Sequence, residues 1–128
     1  MPARYAQFGI AAVFLVLGGW ALVAPGQVIE AALTPQYRLD SFTTRFVLAC
    51  FGAQAVLFGI MALVTQWSAR AFFFFAILLL PFFVFNWYFH VRAPVLTSIG
   101  MLDFAGNVVM LALAVLGWRS AHREETGR

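Results

Sequence analysis

Residues 44–90 read "TRFVLACFGAQAVLFGIMALVTQWSARAFFFFAILLLPFFVFNWYFH". Two apolar runs, 44–66 and 70–90, flank the three residues "WSA". A bilayer core about 30 Å thick needs roughly 20 residues at ~1.5 Å each, which is the length of both runs. Hydrocarbon offers the backbone no hydrogen-bond partner, so a spanning segment must satisfy its own amides and carbonyls as a helix, whatever its Phe and Val content suggests. A link this short turns the chain straight back and predicts antiparallel neighbours.

The same reading extends outward. A first apolar run covers 5–23 and stops at "APG" (24–26), and a fourth covers 95–118, after the link "VRAP" (91–94). The longer connection 25–43 contains "QVIEAALTP" (27–35), which predicts a short surface helix stopped by Pro35. The tail, 119–128, is polar, and its end "HREETGR" (122–128) is expected to fray. The first run is longer than a signal-peptide core and Pro25 would directly follow the best cleavage position, so it is expected to be retained as a span. The fold class expected is therefore an all-α, integral membrane four-helix bundle forming one domain over residues 1–128.

Composition supports this class. Of 128 residues, 63% are hydrophobic and 10% are charged, and the mean hydropathy is +0.90. That leaves too few polar side chains for the shell of a water-soluble domain. The eight basic residues are all arginine and do not cluster, so the net charge of +3 describes no track for a phosphate backbone, and nucleic acid is not an expected partner. With four spans, one side of the membrane holds Arg4, Arg70, Arg119, Arg123 and Arg128, and the other holds Arg38, Arg45 and Arg92. The excess of positive charge in cytoplasmic segments then places both termini in the cytoplasm of a bacterial inner membrane. Trp67 with Trp118, and Trp87 with Tyr88, suit the two interfacial belts.

The polar residues inside the runs carry the functional question. Asp103 lies 15 residues from Trp118 and Asn86 lies 16 from Arg70; Gln54 lies 12 from Gln66 and Asn107 lies 11 from Trp118; Arg45 lies 21 from Gln66 and His90 lies 20 from Arg70. Three layers follow, Gln54 with Asn107, Asn86 with Asp103 and Arg45 with His90, roughly 17, 23 and 31 Å above the cytoplasmic boundary. Gly100, Asp103, Asn107, Met110, Ala114 and Gly117 make one narrow stripe on the fourth segment. Phe72, Ala76, Leu79, Phe83, Asn86 and His90 make another on the third. Small and polar residues on such stripes are how membrane helices approach and hydrogen-bond.

An aspartate near a span centre costs about 2.5–3.5 kcal/mol. Asp103 is therefore expected to have partners: Asn86 directly, and His90, Arg45 or Arg92 toward the outer surface. Two readings stay open, a clasp that fixes helix register and a carboxylate that binds a ligand or handles a proton. Gln54 and Asn107 read as interhelical glue, Cys50 as a small buried hydrophobe, and Pro81 as a kink. No nucleophile–base–acid set, phosphate loop or zinc spacing is present, so neither an enzyme, a metal nor a cofactor is expected.

The stretch "TTRFVLACFGAQAVLFGIMAL" (43–63), with Arg45, Gly52, Gln54 and Gly59, follows a first segment ending "ALVAPGQ" (21–27). In this it resembles the small bacterial four-helix membrane proteins called DoxX-like. The resemblance implies a four-span bundle, and some DoxX-type proteins are subunits of quinone-linked oxidoreductases. It assigns no role to "LDFAGN" (102–107). The function expected is an accessory subunit of a membrane complex, or a binder of a small lipophilic ligand such as a quinone or lipid at the polar seam. The alternative is a carrier or proton-coupled permease acting through Asp103 as a homo-oligomer.

Overall fold

The structure, a computed structural model, describes residues 1–127; Arg128, one of the five arginines counted toward the cytoplasm, lies outside the described residues. The chain is an all-α bundle. Four helices are long and apolar enough to cross a membrane: α1 (Ala3–Val23), α3 (Phe42–Val64), α4 (Ala69–Trp87) and α5 (Leu102–Thr126), with the short α2 (Pro25–Ala32) after the first.

The boundaries have local causes. Pro25 disfavours helical backbone at Ala24, which takes φ −132° and ψ 58°, and then starts α2 at a position where its missing N–H costs nothing. Ser41 caps α3 by accepting from the Thr44 N–H at 3.1 Å, and Ser68 caps α4 by accepting from the Ala71 N–H at 3.3 Å. Pro81 lies inside α4, which stays helical through it and ends in a single π-helical turn, Tyr88–Arg92.

Two expectations about the last segment need correction. The helix begins at Leu102, not Val95, because Pro94 turns the chain out and residues 95–97 pair with the end of α2. Leu33 and Leu96 form an antiparallel bridge, Thr34 N–H donates to the Val95 carbonyl and Thr97 N–H to the Ala32 carbonyl, each at 2.8 Å. Within the described residues the tail does not fray either. Helix α5 continues to Thr126, and its last turns are anchored: Glu124 accepts from the Ala3 N–H at 3.3 Å and Glu125 from the Ala69 N–H at 2.9 Å. Carboxylates at helix N-termini meet unpaired amides and the positive end of the helix dipole, a gain of about 0.3–1 kcal/mol each.

Packing runs α3 on α1, α1 on α5, and α5 on α4. At the α1–α3 crossing, a Cβ added to Gly52 would lie 2.5 Å from both the Gly18 carbonyl oxygen and the Leu22 nitrogen. Only glycine permits this approach. On α5 the expected stripe is buried from Asn107 through Met110, Ala114 and Gly117, and it extends to Ala121. The face of Gly117 receives the fully buried Phe72. Helices α3 and α4 are consecutive but spread apart. They meet near their link through rings, Phe58 on Phe75 at 6.1 Å and Trp67 on Phe75 at 5.3 Å. Beyond that cluster Phe51 and Phe82 line a gap between them.

Candidate functional site

Three polar side chains converge where α4 meets the start of α5. Asn86 and Asn107 are almost fully buried, at 1% and 3% exposure. The Asn86 amide nitrogen donates to Asp103 Oδ2 at 2.9 Å. The Asn107 amide donates to Asn86 Oδ1 at 2.9 Å and to Asp103 Oδ2 at 3.4 Å. Four-residue spacing on one helix puts Asp103 and Asn107 on one face, and Asn86 reaches them from the neighbouring helix. Both bonds to the carboxylate fall on Oδ2, which leaves Oδ1 able to accept from a guest.

Asp103 is not mid-span. Because α5 starts at Leu102, the carboxylate sits in its first turn, where the helix dipole favours negative charge. The residue itself is exposed, and the space it faces is a cleft. A cavity of about 550 Å³ is lined by Leu17, Phe51, Phe82, Asn86 and Asp103, with α2 and the 96–100 loop forming its roof. A second, of about 390 Å³, shares Leu17, Phe51, Phe82 and Asp103 and continues down the α3–α4 gap past Gln54 and Asn107. Volumes of this size suit small ligands.

The three predicted layers fare differently. The Asn86–Asp103 layer forms, and Asn107 joins it. Gln54 is exposed on α3 and lines the second cavity, while Asn107 bonds to Asn86 instead. The small residues of α3 turn toward α1, so Gln54 turns to the gap. The Arg45–His90 layer is not formed. Arg45 pairs with Asp40, Nε to Oδ1 at 2.5 Å and Nη2 to Oδ2 at 2.7 Å, with both side chains about half exposed. The hydrogen bond from Arg45 is the main reason the Asp40 carboxyl lies below its ordinary range; desolvation opposes this and the arginine charge adds to it. His90 Nδ1 instead lies 3.1 Å from the Leu96 carbonyl, holding the roof to α4. Cys50 is also exposed, contrary to expectation, because α3 buries Gly52 and Gly59 rather than the Cys50 face.

Two polar anchors were missed. Gln7 is 1% exposed. Its amide donates to the Ala62 carbonyl at 2.5 Å and the Thr65 carbonyl at 2.8 Å, and its Oε1 accepts from the Trp67 N–H at 3.0 Å. Arg4 donates to the Leu63 carbonyl at 2.9 Å and also to Thr65. Together they satisfy the open end of α3. The signal was a lone amide in an apolar run, the same signal that singled out Gln54. The chain matches no protein-family profile, no curated protein and no solved structure.

Proposed function

We propose that this membrane-spanning protein holds a small lipophilic molecule in the α3–α4 cleft, with the polar head against Asp103 and the apolar body between the helices. The supporting observation is that one carboxylate, oriented by two buried amides, lines both cavities. The gap separates two helices whose outer faces are strongly apolar, with Val84 and Phe46 more than 60% exposed, so a guest enters sideways from the acyl chains. The DoxX-like resemblance adds quinones to lipids as classes to seek.

Purification in mild non-ionic detergent, followed by solvent extraction and mass spectrometry, tests this. The wild type is expected to carry a lipophile and Asp103→Asn to lose it while keeping its helical circular dichroism. A hydrogen bond to a charged group is worth about 1.5–3 kcal/mol, or roughly 10- to 100-fold in affinity. Wild-type protein free of any lipophile, but isolated with a second protein chain, would replace this reading with that of an accessory subunit.

The orientation we propose, with both termini in the cytoplasm of a bacterial inner membrane, has its own test. In a Cys50→Ser background, Arg38→Cys and Arg92→Cys should react with an impermeant maleimide added to intact cells. Labelling only after lysis inverts the topology.

A further inference from the structure

We infer that the cleft selects a lipophilic cation, an apolar body bearing one positive charge that Asp103 neutralises. This rests on the ligand-binding reading above and narrows it to a charge class. The walls of both cavities carry one charged side chain, Asp103, and otherwise hydrocarbon, aromatic rings and amides. Neither wall includes an arginine or a histidine.

The cationic groups expected beside Asp103 are engaged or lie elsewhere. Arg45 is paired with Asp40, His90 is bonded to Leu96, and Arg92 is exposed on the π-helical turn. Asn86, Asn107 and the first turn of α5 solvate negative charge at Oδ2 without cancelling it. An uncompensated charge beside apolar walls is costly, and an opposite charge brought in by a ligand removes that cost.

Other ligand charges fit less well. A phosphate or carboxylate head would place a second negative charge beside the first. A neutral head would leave the first uncompensated. A bare metal ion needs several donors, and among the described residues no three His, Cys, Asp or Glu side chains converge. The apolar length of the cleft demands that the charge arrive on a hydrophobic body.

Tetraphenylphosphonium and tetraphenylborate have nearly the same shape and opposite charge, so the pair isolates the charge preference. Isothermal titration calorimetry on protein in non-ionic detergent, with protein-free micelles as blank, is expected to show saturable binding of the phosphonium and none of the borate. Asp103→Asn should weaken the phosphonium tenfold or more. Leu78→Trp, at an exposed position lining the second cavity, should weaken it by filling space while leaving Asp103 intact. If Asp103→Asn fails to fold, the contrast between the two ions on wild-type protein, with Leu78→Trp, decides the matter. Equal binding of both ions, or phosphonium binding unchanged in folded Asp103→Asn, overturns the charge selection and leaves the lipophile reading standing. If neither ion binds and the purified protein carries no lipophile, both readings fall.

Discussion

Gly52→Leu is expected to destabilise the bundle severely, while Gly19→Leu leaves it almost unchanged. The first substitution places carbon where the Gly18 carbonyl and the Leu22 nitrogen already sit, 2.5 Å from the new Cβ. Both obstacles are backbone, so no rotamer change relieves the clash and α1 must move away from α3. Overpacking costs about 1–3 kcal/mol where side chains can yield, and more where they cannot. Separating these helices also removes the most extensive interface in the molecule. At Gly19 a Cβ meets nothing within 4 Å, and substitutions at such positions stay within about 0.5 kcal/mol. Thermal melts of the two variants in one detergent check the contrast. Equal melting temperatures would mean that close α1–α3 approach is not what holds the bundle.

Gln7→Met should cost nearly as much by a different route. Methionine fills a similar volume but cannot replace the three hydrogen bonds of the buried amide. The Thr65 carbonyl keeps its bond from Arg4, whereas the Ala62 carbonyl and the Trp67 N–H lose the partner that Gln7 supplied. Each buried group left unpaired costs about 1–3 kcal/mol, so the expected loss is about 2–6 kcal/mol. The damage should be local, at the turn between α3 and α4. Protease cleavage within 65–68 should accelerate along with the fall in melting temperature. A variant as stable and as protease-resistant as the wild type would show that Gln7 is not the clasp described.

Much of this architecture was legible from apolar run lengths alone, because a bilayer imposes one thickness and one kind of backbone pairing. The start of α5 was not. Residues 95–101 are as apolar as a span, and hydropathy does not distinguish a helix from a strand-like segment paired with Leu33. The layer of Asn86 and Asp103 was readable because α4 and α5 pack directly, so equal heights became a contact. The layer of Arg45 and His90 failed because α3 and α4 diverge from their link, and equal heights on separated helices produce no bond. Four-residue spacing puts Cys50 and Gln54 on one face of α3. It did not reveal that α3 would bury its glycines instead, since that depends on which partner offers the closer surface.

The carboxylates of Glu124 and Glu125 carry an implication for biogenesis. The N-terminal amides of α1 and α4 are made early, yet the groups that satisfy them stand 121 and 56 residues later in the chain. During synthesis those amides face water or lipid headgroups, and the starts of α1 and α4 lack the common α5 end that ties each of them down. The latch closes only after residue 125 has been translated, so a ribosome halted before that codon releases a protein in which Gln7 and Arg4 still fasten the start of α1 but the Ala69 N–H lacks its carboxylate.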